Sequence, residues 1–136
     1  MIKNKLRRGN SKQIKTVFIN RWALLMKTIT ATILIIGQRP AEEPFLIKVQ
    51  IGVPYQCGND PEEWAGPVSL TPLYKRLHDA HGGDSLQALC LAVSLALDLL
   101  QDFKEKGGAL RFPSGDEFPL GSYSFGVARK GTSNAA

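Results

Sequence analysis

The stretch "SLQALCLAVSLALDLLQDFKEK", residues 85–106, constrains this chain more than any other. Gly82-Gly83 stand before it and Gly107-Gly108 after it, and glycines at both ends of an apolar run mark a turn in and a helix stop. Leu86, Leu89, Cys90, Val93, Leu97, Leu100 and Phe103 recur at spacings of three and four, the period of one helix face. Gln87, Ser94, Asp98, Gln101 and Glu105 fall on the opposite side, while Leu91, Ala92, Leu95, Ala96 and Leu99 widen the apolar arc. Lys104 and Lys106 sit in the last turn, where cations suit the carbonyl end of the helix dipole. A helix this apolar needs cover over most of its circumference, so the rest of the chain must supply a broad apolar surface.

Strands supply that surface. "TITATILII", residues 28–36, is β-branched and too short for a typical helix, with Ile29, Ala31, Ile33 and Ile35 on one face. "FLIKVQIGV", residues 45–53, alternates strictly, setting Phe45, Ile47, Val49, Ile51 and Val53 against Leu46, Lys48, Gln50 and Gly52. The breakers Gly37, Pro40 and Pro44 lie between the two, which predicts an antiparallel hairpin with one buried face. "PYQCGNDPEE" reads as a long polar connection. "WAGPVSL", residues 64–70, reads as a third strand with Pro67 at an edge or bulge, because proline cannot donate a ladder bond. "TPLYKRLHDAHGG" allows a short helical turn capped by Thr71, with Pro72 at its first position. Beyond the helix, "ALRF" predicts a last strand, "PSGDE" a turn and "FPL" a short return. The expected fold is α+β: a small antiparallel sheet of about four strands in β-β-β-α-β order, with one long amphipathic helix on one face. Residues 28–120 form that single domain, and 121–136 read as a disordered tail.

The chain has 136 residues, 43% of them hydrophobic, enough for one core. Its formal charge of +5 is unevenly spread. Residues 1–27 carry eight of the 17 basic residues and no acid, leaving nine to set against all 12 acids in the other 109 residues, a net of −3. Nucleic-acid binding would therefore rest on this basic extension alone, acting as a flexible arm that gains phosphate contacts by counterion release. A targeting peptide fits less well, since Arg21 and Lys27 break the apolar region and no small-residue cleavage pattern follows. The leading reading treats residues 1–25 as upstream sequence, because the strand pattern begins directly after Met26. No run reaches the roughly 18 uninterrupted apolar residues of a membrane span, and no membrane partner is expected. Two cysteines, Cys57 and Cys90, far apart and without a secretory signature, read as reduced thiols of a cytoplasmic protein.

Gly83-Asp84-Ser85-Leu86 resembles the name-giving motif of a large family of serine esterases and lipases. Such a serine follows a buried strand, and its acid and base come later as an Asp-x-x-His pair. Here His78 and His81 are the only histidines and both precede Ser85, so no base follows it. The helix reading explains the same residues: Asp84 as N-cap, Ser85 as the first helical position, and Gln87 reaching back to the Asp84 N–H in a capping box. The longer run Gly83-Asp84-Ser85-Leu86-Gln87-Ala88-Leu89, after "IKVQIGVPYQ" and "EEWAGPVSL", resembles a small bacterial family of uncharacterised domains with a Gly-x-Asp-Ser-x-Gln-Ala-Leu helix start. That resemblance covers about residues 28–120 and carries no activity with it.

Three groupings are candidates for chemistry or binding. His78, Asp79, His81 and Asp84 crowd into seven residues and could hold a metal with Cys57, but polar turns beside helix caps collect the same residue types, so no metal or cofactor is expected. His78, His81 and the Gly82-Gly83 backbone could receive an anion at the helix N-terminus, where Asp84 already places a negative charge. Tyr55, Trp64 and Tyr74 flank the polar loops and could form an aromatic patch, although such residues more often close the end of a small core. The expected role is a non-enzymatic interaction or regulatory domain of a bacterial cytoplasm, of accessory or immunity type, with an unknown protein partner. A homodimer is the expected cover for the helix surface that one small sheet leaves open. The alternatives are a nucleic-acid-associated protein using residues 1–27 and a serine hydrolase using Ser85.

Overall fold

β1 (Ile29–Gln38) and β2 (Phe45–Gly52) pair as the alternation requires, with Ile33 opposite Val49 and Ile35 opposite Ile47. The computed structural model describes residues 28–123; the readings of residues 1–27, and of the tail from residue 124 onward, lie outside the described residues. Among the described residues, five further strands, β3 (Tyr55–Asn59), β4 (Glu62–Gly66), β5 (Val68–Thr71), β6 (Ala80–Gly82) and β7 (Ala109–Arg111), join one helix, α1 (Ser85–Glu105). All pairings are antiparallel, in a four-stranded sheet ordered β5-β2-β1-β7 and a three-stranded sheet ordered β3-β4-β6. The α+β class is the one the residue pattern implies, with two sheets where one was expected.

The second sheet arises where the sequence reads as loop. The polar stretch after Pro54 is a hairpin, β3 to β4, with Asn59 paired to Glu62. "WAGPVSL" divides at Pro67 into β4 of one sheet and β5 of the other. Pro67 has no N–H to extend a ladder, but its carbonyl accepts from the Gly52 N–H at 2.9 Å, so it joins the sheets instead of interrupting one. Thr71 does not cap a helical turn. It is the last residue of β5, paired to Lys48, and that extended pairing excludes a helix start there. Residues 72–79 instead run irregularly into β6, with the Tyr74 N–H held on the Leu70 carbonyl at 2.8 Å.

The core lies between the four-stranded sheet and α1. Ile35, Ile47, Val49, Ile51, Val68 and Leu70 are buried from the sheet, as their alternation predicts, while Val53 at the strand's end is exposed. Leu97, Leu100 and Phe103 meet them from α1, and Phe118 and Leu120 close the far end from the C-terminal return. Residues Leu120–Tyr123 add a 3-10 turn in which Tyr123 stacks on Phe118 at 4.9 Å. At the β1–β2 turn, Arg39 lies over the rings of Phe45 and Phe103, 5.0 and 5.7 Å from their centroids. By length and composition α1 could cross a membrane, yet here it packs on strands of both sheets.

In its N-terminal half, the buried stripe of α1 is not the one its leucines outline. Ala88, Ala92 and Ala96 form its centre, whereas Leu86 is 67% exposed, and Cys90 and Leu91 are also exposed. Glycines on the second sheet are the reason. A methyl at Gly66 would lie 2.9 Å from the Ala88 carbonyl carbon, and one at Gly82 would lie 2.7 Å from the Ala88 nitrogen. The first turns of α1 thus rest directly on strand backbone, a separation only small residues allow.

Gly66→Ala is expected to destabilise the fold by about 1–3 kcal/mol, because the intruding methyl faces backbone that cannot swing aside. Gly121→Ala, where an added methyl meets nothing within 4 Å, serves as the neutral comparison in urea unfolding. Equal midpoints for the two variants would disprove the close-approach account.

Candidate functional site

The start of α1 is occupied by its own caps. Asp84 is extended (φ −149°, ψ 171°), and its carboxylate accepts from the Gln87 N–H at 2.8 Å. Gln87 answers, but from a different partner than expected. Its side-chain oxygen accepts from the Gly83 N–H at 2.7 Å, and not from that of Asp84. With Asp84 fully extended, the amide within reach of the Gln87 side chain is the one before it. Ser85 is the first residue of the helix and is exposed. Among the described residues, no histidine nitrogen hydrogen-bonds to Ser85. An anion at this terminus, the candidate raised for His78, His81 and the Gly82-Gly83 backbone, would meet the Asp84 carboxylate already in place.

Two surfaces gather functional side chains elsewhere, and both involve the second sheet. On that sheet, Cys57 of β3, Glu63 of β4 and His81 of β6 converge from three adjacent strands. The His81 Nδ1 lies 2.8 Å from a Glu63 carboxylate oxygen and 3.9 Å from the Cys57 sulfur. Between a carboxylate and a thiol, Nδ1 carries its proton toward the carboxylate, so it is not available to take one from sulfur. Partial loss of water around the sulfur, and then the negative charge of Glu63, pushes the Cys57 thiol pKa up. A nucleophilic cysteine needs the opposite shift. The trio is therefore poorly arranged for covalent catalysis, though its donor atoms lie within 4.8 Å of one another.

The second surface is a cleft of about 610 Å³ where residues 74–79 pass the junction of the two sheets. Ile29, Pro67, Val68 and Leu77 give it apolar lining, and Lys75, Arg76 and His78 bring basic groups. The acid at the same wall, Asp79, is engaged: its carboxylate accepts from the Tyr55 hydroxyl at 2.5 Å, which ties the 74–79 segment to β3. Burial, and next the hydrogen bond to Asp79, pushes the Tyr55 phenol up to about 12. Its proton stays in that bond throughout the neutral range.

The expected binding residues thus separate. His78 and Tyr74 line the cleft. Tyr55 holds its wall through Asp79, and His81 sits one sheet surface away with Cys57 and Glu63. Trp64 joins neither group; its indole N–H donates to Glu62 at 2.8 Å, and its backbone pairs with Gly82. Gly83 serves the helix cap alone. Lys75, Arg76 and Glu63 were not singled out from the sequence. The two basic residues carry no pattern of their own, and Glu63 is recognisable only once β3, β4 and β6 are known to be neighbours. Comparison with protein-family models, curated proteins and solved structures finds no match to this chain.

Asp84→Ala should lower stability by about 1 kcal/mol, the usual cost of removing an N-cap, whereas Ser85→Ala should leave the unfolding midpoint nearly unchanged. The reverse order would make Ser85 more than a helix-start residue. Tyr55 is also open to direct titration. Below pH 10 the phenol is protonated in folded and unfolded chains alike, and the full contribution of its bond is present. As pH rises from 10 toward 12 the unfolded chain ionises first, so that contribution fades. In an ultraviolet titration of the folded protein, one of the three tyrosines should ionise later than the other two. Asp79→Asn should shrink the lag, and simultaneous ionisation of all three would contradict the half-buried Tyr55–Asp79 bond.

Proposed function

We propose that this protein is a non-enzymatic interaction domain that holds an acidic, partly apolar segment of a partner protein in the cleft beside residues 74–79. The observation that carries the reading is the cleft itself. Three basic side chains, Lys75, Arg76 and His78, stand along an apolar floor, while the neighbouring acid Asp79 is taken up by Tyr55. A peptide carboxylate would meet the Lys75 and Arg76 cations while the Asp79 carboxylate is held on Tyr55, and an apolar side chain beside it would bury against Ile29, Val68 and Leu77. Tethering by the Tyr55–Asp79 bond fixes one wall in advance, which lowers the ordering cost of binding. An accessory, regulatory or immunity-type role in a bacterial cytoplasm is consistent with a domain that captures a partner without altering it.

Peptide-display selection against the full chain tests this. Enriched peptides should carry clustered Asp or Glu next to a large apolar residue. Their binding should fall by at least about tenfold in Lys75→Glu/Arg76→Glu, the loss of roughly 1.4 kcal/mol expected when charge complementarity is reversed. Enrichment of neutral or basic peptides, or binding that ignores the double substitution, would overturn the reading. Competition by a short oligonucleotide that also requires Lys75 and Arg76 would point to a nucleic-acid ligand in place of a protein segment.

A further inference from the structure

We propose that Cys57, Glu63 and His81 form a zinc site on the outer surface of the three-stranded sheet, separate from the cleft. Each residue comes from a different strand, β3, β4 and β6, so the ladder and not a loop sets their spacing. The ladder is irregular at one point only between β3 and β4. The register shifts between Gln56 and Gly58, leaving Cys57 as the extra residue of a bulge. Bulges re-aim a side chain relative to the regular pleat, and here the result is a sulfur 3.9 Å from an imidazole nitrogen two strands away.

The donor set is sulfur, nitrogen and oxygen, a combination that suits the borderline-soft zinc ion and leaves a fourth position for water. Tetrahedral zinc places a sulfur and an imidazole nitrogen about 3.5 Å apart, and a nitrogen and a carboxylate oxygen about 3.4 Å apart. The present separations, 3.9 Å for the Cys57–His81 pair and 2.8 Å for His81–Glu63, bracket those values. All three side chains are exposed and can adjust by the remaining half-ångström without moving backbone. Zinc would replace the proton now shared between His81 and Glu63, and would take the thiol as thiolate. Two anionic ligands, the Cys57 thiolate and the Glu63 carboxylate, offset the charge of a dication.

The four-residue group visible in the sequence is not the site. Asp79 is bonded to Tyr55, Asp84 caps α1, and His78 lines the cleft, so His81 alone of that group takes part. A lone surface thiol that scavenges metal is the competing explanation, and the second exposed cysteine, Cys90 on α1, supplies the control.

The test uses the reduced full-length protein titrated with zinc and, separately, with cobalt(II). One metal per chain is expected, with a thiolate-to-cobalt charge-transfer band in the near ultraviolet. Cys57→Ser should abolish that band, and His81→Ala and Glu63→Gln should each weaken binding by at least about tenfold. Cys90→Ser should change neither stoichiometry nor spectrum. Zinc should also raise the urea midpoint of the wild-type chain and leave that of Cys57→Ser unmoved. Absence of the band in the wild type, its survival in Cys57→Ser, or its loss in Cys90→Ser would each overturn the assignment. None of these readings depends on whether the cleft binds an acidic peptide.

Discussion

The contact between the first turns of α1 and the backbone of the second sheet governs this structure. Ala88 sits against Gly66 and Gly82, where no Cβ stands between helix and strand. That closeness rotates the helix so that its alanine row faces the strands, and it leaves Leu86 and Leu91 largely outside. It also fixes β4 and β6 beneath the helix, since both glycines belong to those strands. The two ends of α1 therefore do different work. Its N-terminal half clamps the small sheet through alanine, while Leu97, Leu100 and Phe103 further along close the apolar core over the large one.

Both candidate surfaces descend from this arrangement. With β6 held under the helix, His81 is presented beside Glu63 on β4, and the bulge in β3 brings Cys57 to meet it. The cleft forms because the chain must travel from the end of β5 to the start of β6, from one sheet to the other, in residues 72–79. That crossing is too short to wander, and the Tyr55–Asp79 bond fixes its far end. Basic side chains on the crossing consequently line the cleft at the junction of the sheets while remaining exposed.

Pro67 shows how one residue can change architecture without changing class. As a strand residue it is a defect, yet as a junction it lets a single extended stretch serve two ladders. The Gly52 N–H finds its partner on the Pro67 carbonyl, so the backbone at the junction is satisfied on at least that side. The same reasoning explains Thr71, whose position before a proline suits a helix start in isolation but whose pairing with Lys48 decides the matter.

The local pattern of the sequence determined the strands with strict alternation, the long helix between its glycine pairs, the Asp84 cap and the α+β class. Each of these follows from periodicity or from side chains reaching their own near neighbours, so no distant contact is needed to see it. Residues 55–63 of the hairpin were illegible because Gly58, Asn59, Asp60 and Pro61 are poor strand formers, and that stretch is ordered by its pairing with its neighbours. The helix stripe was read correctly at Leu97, Leu100 and Phe103 but misplaced in the first turns, where burial went to alanines small enough for close approach. The convergence of Cys57, Glu63 and His81, and the placement of Lys75 and Arg76 at the cleft, are decisions of tertiary structure alone. They join residues 18 and 24 positions apart, or set a segment against another sheet's junction, and separations of that kind are fixed by packing, which no local pattern encodes.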